Sequence, residues 1–191
     1  MKNRLARPAR TKAALPVARQ TSPAPRKIIL GIDPSLRGTG YGVIETGQPT
    51  PRTLAQGTIV CPPKWERSRC LATILVTLRD VICEHQPTIC VVEGIFFAQN
   101  LKTALIMGEA RGAALAVAGE AGLEIYELAT RKVKQAIVGY GAAQKLAVAK
   151  MVQRMLGLAE LPAPDAADAL ALALTHAQMA GRFGLSAQKK I

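Results

Sequence analysis

The chain has 191 residues, about half of them apolar, and its 25 basic and 13 acidic residues give a formal net charge of +12. This length fits one compact domain with tails rather than two full domains. The positive charge favours a polyanionic partner. No run is long and apolar enough to cross a membrane, the N-terminus lacks the apolar segment of a secretory signal, and none of the four cysteines forms a C-x-x-C pair that would indicate zinc.

The N-terminal segment, residues 1–26, contains seven basic residues, several prolines and alanines, and no acidic residue. It shows no periodicity, so we predict a disordered basic arm, followed by a folded domain over residues 27–180 and a flexible tail over residues 181–191. Such an arm is typical both of DNA-contacting segments and of organellar transit peptides, and the sequence leaves both interpretations open.

From Lys27 onward the hydrophobic pattern changes abruptly and predicts regular elements. Segments separated by Gly- and Pro-rich turns indicate an antiparallel meander of three strands, at residues 27–33, 38–45 and 54–60. The pattern then predicts, in order, a helix at 65–86, a strand at 88–94, a helix at 101–122, a strand at 123–128, and helices at 130–139, 143–158 and 165–181. This order predicts an α/β domain in which a mixed five-stranded sheet carries helices on both faces.

Three of the four aspartates and one glutamate occupy special positions in this pattern. Asp33 ends the first apolar strand and Glu93 ends the fourth, and ligands of open α/β sheets bind at such carboxyl ends. Asp165 and Asp168 are three residues apart at the start of the last helix, so they share a face. Taken singly, these residues also fit a turn, a solvated strand end and a helix cap.

Taken together, the four acidic residues point to metal-dependent chemistry. Hydrolysis of a phosphodiester needs a positioned water and stabilised charge on two oxygens, which two divalent cations supply. Mg²⁺ prefers oxygen ligands, and clustered carboxylates repel one another without a cation. A basic protein with a small acidic pocket is therefore typical of a metal-dependent nuclease, whose basic surface binds the nucleic acid.

Five segments in order closely resemble the bacterial RuvC family of Holliday junction resolvases: ILGIDPSLRGTGYGVIE, VVEGIFFAQN, ALIMGEARGAAL, RKVKQAIVGYGAAQK and DAADALALALTH. The resemblance runs from about Lys27 to about His176. It implies an RNase H-like fold, a homodimer, and two Mg²⁺ ions per active site, for which Mn²⁺ substitutes. The implied catalytic and metal-binding residues are Asp33, Glu93, Asp165 and Asp168.

The same resemblance implies the substrate contacts. Lys134 and Lys145 flank the Gly-Tyr-Gly turn and would contact phosphate. Phe96 would wedge into the junction, and Arg37, in the turn after Asp33, would bind substrate. Taken singly, the lysines also fit a solvated helix surface and Phe96 fits a core.

The implied function is the resolution of four-way DNA junctions by paired symmetric nicks during homologous recombination and repair. We expect a cytoplasmic, nucleoid-associated protein that works with the RuvA-RuvB branch-migration complex, with organellar targeting through residues 1–26 left open. The Ala- and Gly-rich helix at 101–120 fits either a dimer interface or packing on the domain's own sheet.

Three other functions remain open at this point. An RNase H-like nuclease that processes structured RNA would carry the same acidic residues. The loop GIDPSLRGTG also resembles the phosphate loop of actin-like ATPases and sugar kinases, although those proteins need a second lobe for which this chain has no room. A junction-binding module without catalysis is the third, and the presence of all four acidic residues disfavours it.

Overall fold

The structure, a computed structural model, describes residues 26–47, 50–94, 100–182 and 189–191. Residues 1–25, which form nearly all of the predicted arm, lie outside the described residues, as does Phe96. The elements are β1 (Ile28–Asp33), β2 (Gly38–Glu45), β3 (Arg52–Val60), α1 (Arg67–His85), β4 (Ile89–Glu93), α2 (Leu101–Glu120), β5 (Glu124–Leu128), α3 (Thr130–Val138), α4 (Lys145–Leu156), α5 (Pro164–Arg182) and β6 (Lys189–Lys190).

The strands form one mixed sheet in the order β3-β2-β1-β4-β5-β6. The first three strands pair antiparallel, as the meander predicted, whereas β1 with β4 and β4 with β5 pair in parallel. Strand β4, with the sequence ICVVE, is apolar and buried up to its last residue, Glu93, as expected for a strand covered on both faces. The α/β class and the mixed sheet are confirmed.

The predicted number of strands was wrong, because the described residues form a sheet of six strands rather than five. The sixth, β6, lies in the segment predicted as a flexible tail and pairs antiparallel with β5. It is two residues long, so it has no hydrophobic periodicity to detect. Its lysines form ion pairs with acidic residues of β5: Lys189 with Glu127 at 2.7 Å and Lys190 with Glu124 at 3.4 Å.

Helices cover both faces of the sheet, as predicted. One buried cluster joins the sheet to α1 and α2, through residues such as Leu78 and Ala114. The other joins it to α3, α4 and α5, through residues such as Val133, Val152 and Leu170. Within the described ranges, no helix is both long enough and apolar enough to span a bilayer.

Candidate active site

The parallel pairing of β1 and β4 brings two carboxylates to the same edge of the sheet. Ile32 pairs with Val92, so Asp33 and Glu93 follow side by side where these strands end. Side chains alternate between the faces of a strand. Ile29 and Val91 belong to the cluster under α5, so Asp33 and Glu93 face the same side.

Helix α5 brings a third carboxylate because glycines let it lie directly on the sheet. A Cβ on Gly31 would overlap the carbonyl oxygen of Ala169, and a Cβ on Gly40 would overlap that of Asp165. These positions need glycine because of this close approach of two backbones. This approach places the first turns of α5 over the C-terminal end of β1 and the N-terminal end of β2.

A cavity of about 580 Å³ opens at this point, and Asp33, Glu93 and Asp168 all line it. Its other lining residues are Pro34, Ser35, Leu36, Arg37, Thr103, Ile106, Met107, Thr130, Lys134 and Lys145. Three acidic residues that are far apart in the sequence thus share one cavity with two lysines and an arginine. Such a cavity suits a cation in contact with an anionic substrate.

Burial and neighbouring negative charges disfavour the ionised forms of Asp33 and Asp168. Burial, followed by a hydrogen bond to Glu93 and the negative charges of Glu93 and Asp168, raises the pKa of Asp33 to about 8. Burial also raises the pKa of Asp168, although the neighbouring Lys145 opposes this. A buried carboxyl with such neighbours needs either a proton or a cation to compensate its charge.

Two contacts orient the carboxylates. Lys145 Nζ lies 2.9 Å from Asp168 Oδ2, and this hydrogen bond raises the pKa of Lys145. The hydroxyl of Thr130, the first residue of α3, donates a hydrogen bond to Glu93 Oε1. A lysine of α4 and a threonine of α3 thus hold two of the three carboxylates.

The donor set fits a hard divalent cation, because carboxylate oxygens are the ligands that Mg²⁺ and Mn²⁺ prefer. As the side chains stand, no group of three acidic, histidine or cysteine residues among those described is arranged to hold one ion. The contacts explain this, since Asp168 faces the ammonium group of Lys145 and Glu93 faces Thr130. A cation that takes Asp168 Oδ2 as a ligand would have to displace the ammonium group of Lys145 from that oxygen.

The other predicted residues differ in their relation to the cavity. Asp165 lies beside the start of β2, where its Oδ2 atom would be 3.0 Å from a Cβ on Gly38, and it is not among the lining residues. Lys134 lines the cavity. Arg37 also lines it, but its guanidinium donates hydrogen bonds to backbone carbonyls, that of Pro62 at 2.6 Å and that of Trp65 at 3.1 Å.

The sequence did not predict a group of residues on the other face of the sheet, opposite the candidate active site. Arg111 of α2 forms an ion pair with Glu127 of β5, and its Nε atom donates to the backbone carbonyl of Glu93 at 3.3 Å. It also missed Thr130, whose hydroxyl contacts the Glu93 carboxylate. The sequence signals for the Arg111–Glu127 pair were the second glutamate of the strand EIYEL and the one arginine of an Ala-rich helix.

Comparison with known proteins gives consistent matches over the part of the chain that contains the candidate active site. The family model of crossover junction endodeoxyribonuclease RuvC matches residues 29–176. The curated protein of that name from Bordetella parapertussis is 43% identical over 166 residues, which cover 84% of this chain and 91% of that one. Its counterpart from Nitrosomonas eutropha is 46% identical over 159 residues, covering 83% and 88% of the two chains.

Solved structures agree with the curated relatives. The structure described as T. thermophilus RuvC in complex with Holliday junction substrate has a TM-score of 0.78 and 35% identity, and the match covers 86% of this chain and 99% of that one. The yeast mitochondrial Holliday junction resolvase Ydc2, at 11% identity and a TM-score of 0.53, shares the fold.

Proposed function

The chain belongs to the RuvC family of crossover junction endodeoxyribonucleases, and from this premise we propose that it resolves Holliday junctions by paired, symmetric, metal-dependent nicks. The observation that carries the proposal is the cavity shared by Asp33, Glu93 and Asp168 beside two lysines. Cleavage of a phosphodiester requires compensation of negative charge at the scissile phosphate, and this site gathers the groups that supply it. The family match and the junction bound to a relative favour DNA over structured RNA.

Asp33, Glu93 and Asp168 would hold two Mg²⁺ ions, and Asp165, one helical turn from Asp168, would complete the set. When bound, these ions supply an activated water and stabilise charge on the attacking and leaving oxygens. Mn²⁺, with similar ligand preferences, substitutes for Mg²⁺. In-line attack of water on phosphorus would break the bond to the 3′ oxygen, which takes up a proton, and would give a 5′ phosphate and a 3′ hydroxyl without a covalent enzyme intermediate.

The basic side chains of the cavity position the DNA. Lys134 and Lys145 contact phosphate oxygens near the scissile bond, as charged donors do. Arg37 holds the turn after β1 through the carbonyls of Pro62 and Trp65 and presents that turn to the substrate. Phe96 wedges into the junction, and the seven basic residues of segment 1–26 contact the DNA backbone.

A second copy of the chain packs on the exposed face of α2, which we call the α2 face: Leu101, Leu105, Gly108 and Gly112. Leu101 is 75% exposed and Leu105 57% exposed, and a Cβ on either glycine would meet nothing within 4 Å. The opposite face of α2, with Ala110 and Ala114, already packs on the chain's own core. Two-fold symmetry then directs two sites to opposite strands, so the nicks are symmetric.

The proposed substrate implies a cellular location and a partner complex for the enzyme. Four-way junctions form on the chromosome, so we place the enzyme at the bacterial nucleoid in the cytoplasm. We expect the RuvA-RuvB branch-migration complex to present the junction to it.

Cleavage of a synthetic four-way junction tests the proposal. Purified protein with Mg²⁺ is incubated with the junction, with duplex DNA of the same sequence, and with a structured RNA, and EDTA provides the metal-free control. We expect paired nicks in opposite strands of the junction, at least about 100-fold slower cleavage of the duplex and the RNA, and no cleavage in EDTA. Equal cleavage of RNA, or cleavage in EDTA, would contradict the proposal.

A further inference from the structure

On the face of the sheet opposite the candidate active site lies a largely buried ion pair between Arg111 and Glu127. The side chains of these residues are 16% and 13% exposed. Glu127 is on β5, beside Val92 of β4, and its face of β5 is the one that packs against α2. A pair this far removed from water adds little net stability, because desolvation offsets much of the attraction. The role of this ion pair is therefore to be sought in the residues that it contacts rather than in its contribution to stability.

Arg111 makes a second contact, at the end of β4. Its Nε atom donates a hydrogen bond to the backbone carbonyl of Glu93 at 3.3 Å. The pairing of β1 with β4 ends at Ile32 and Val92, so the Glu93 carbonyl projects beyond that ladder. On the β5 side, the amide of Gly94 donates to the carbonyl of Leu128 at 3.0 Å. Arg111 thus supplies a donor at the point where the β1 ladder stops.

The Glu93 side chain points to the other face, where Thr130 donates to its carboxylate. Glu93 is therefore held from both sides of the sheet, its backbone by Arg111 and its side chain by Thr130. The backbone orientation at Glu93 sets the direction of its Cα–Cβ bond and hence where the carboxylate meets Asp33. The planar guanidinium can serve Glu127 and the Glu93 carbonyl together, because its donors are rigidly arranged.

We propose that Arg111, itself oriented by Glu127, is a positioning residue that fixes Glu93 for cation binding in the cleavage reaction. Arg111 is not among the residues that line the cavity, so it acts through Glu93 and not on the substrate. The proposal rests on the function proposed above, in which Glu93 binds a divalent cation. It adds a pair outside the cavity on which the geometry of that ligand depends.

The test compares Arg111→Met and Glu127→Gln with two controls. Arg79→Met removes an arginine that pairs between α1 and α2 with Glu120, both of them at least half exposed. Lys189→Ala removes the exposed partner of the same Glu127 carboxylate. For each protein we measure Mn²⁺ affinity by calorimetry, kcat and KM for junction cleavage, the Mg²⁺ concentration that gives half-maximal rate, junction affinity in EDTA, and the melting temperature.

We expect Arg111→Met and Glu127→Gln to weaken Mn²⁺ binding, raise the half-maximal Mg²⁺ concentration and lower kcat, each by about tenfold, as is usual for groups that orient a metal ligand. Junction affinity in EDTA and KM stay within about twofold of wild type, because the residues that contact DNA are intact. Arg111→Lys recovers part of the loss, since one amine reaches one of the two acceptors. Both controls behave as wild type.

Unchanged Mn²⁺ affinity in Arg111→Met, in a protein that remains folded at the assay temperature, would overturn the inference. So would a loss of junction affinity equal to the loss of kcat, since that would indicate general damage to the domain. Absence of junction cleavage by the wild type would contradict the proposed function instead, and the Mn²⁺ comparison would still decide the role of Arg111.

Discussion

Lys145 Nζ lies 2.9 Å from Asp168 Oδ2, so a cation of the protein occupies one of the three carboxylates of the cavity. The negative charges of Asp33 and Asp165 also raise the pKa of this lysine. In the proposed function, this ammonium group would compete with a divalent cation for Asp168 and would contact phosphate once it is displaced. Removal of this ammonium group is therefore expected to strengthen cation binding and to slow cleavage.

In the absence of DNA, Lys145→Met is expected to bind Mn²⁺ about two- to tenfold more tightly, because one competing positive charge is lost. The gain is limited because this charge lies close to solvent, which screens it. Its rate of junction cleavage is expected to fall at least about tenfold, because a phosphate contact is lost. Calorimetry and single-turnover cleavage measure the two effects. Lys150→Met, an exposed lysine of the same helix, is the control, and weaker Mn²⁺ binding by Lys145→Met would contradict the competition.

The pKa of Asp33 predicts how stability depends on pH when no metal is bound. This pKa is about 8 in the folded protein against 3.8 for an ordinary aspartate. Between these values the folded protein holds a proton that the unfolded chain has released. The free energy of unfolding in EDTA therefore falls as pH rises through this window, by at most about 1.4 kcal/mol per pH unit from this group.

Urea denaturation of wild type and Asp33→Asn at pH 5 and pH 8, in EDTA, measures this effect. The wild type loses stability relative to Asp33→Asn as pH rises, and saturating Mg²⁺ reverses the loss in the wild type because the cation replaces the proton. A difference between the two proteins that is the same at both pH values would show that Asp33 does not titrate in this way.

Gly31 controls how closely α5 approaches the sheet. A Cβ at this position would overlap the backbone carbonyl of Ala169, and backbone cannot move aside as a flexible side chain can. Gly31→Ala is expected to lower the free energy of unfolding by roughly 1–3 kcal/mol or more, and to weaken Mn²⁺ binding because Asp168 moves with the helix. Gly119→Ala, where a Cβ meets nothing within 4 Å, is expected to be neutral or up to about 1 kcal/mol more stable. Equal stability of the two variants in urea denaturation would refute this account of α5.

A bulky substitution on the α2 face is expected to weaken dimerisation while leaving the stability of the single chain intact. A larger residue at Gly112 has open space within one chain, so Gly112→Leu is expected to melt at or above the wild-type temperature when both proteins are monomeric. Across a close helix–helix contact the same side chain would collide, so the dimer dissociation constant is expected to rise at least about tenfold. Sedimentation equilibrium measures the constant. An unchanged dimer would assign dimerisation to another surface.

Most of the fold and part of the candidate site followed from the sequence. Asp33 and Glu93 end apolar runs that are too short for helices, and two parallel strands bring such residues to one edge. The spacing of Asp165 and Asp168 placed both on one face of α5, but it did not reveal which of them lines the cavity. That depends on how α5 crosses the sheet, which Gly31 and Gly40 determine by close packing.

Contacts between distant elements left no pattern along the chain. The Lys145–Asp168 and Arg111–Glu127 pairs each join two elements, and neither pair follows a helical or strand spacing. Strand β6 was missed for a related reason, since two residues pair with β5 through backbone bonds and lysine charges rather than through apolar side chains. Periodicity detects burial within one element, and these features arise between elements.

The affinity for Mn²⁺ of proteins that differ in one carboxylate tests the central claim, that Asp33, Glu93 and Asp168 bind divalent cations together. Titration calorimetry compares wild type with Asp33→Asn, Glu93→Gln and Asp168→Asn, and with Asp80→Asn, the aspartate exposed on α1. Each of the first three is expected to bind Mn²⁺ at least about tenfold more weakly, and Asp80→Asn is expected to match the wild type. Wild-type affinity in Asp33→Asn, or an equal loss in Asp80→Asn, would contradict the account.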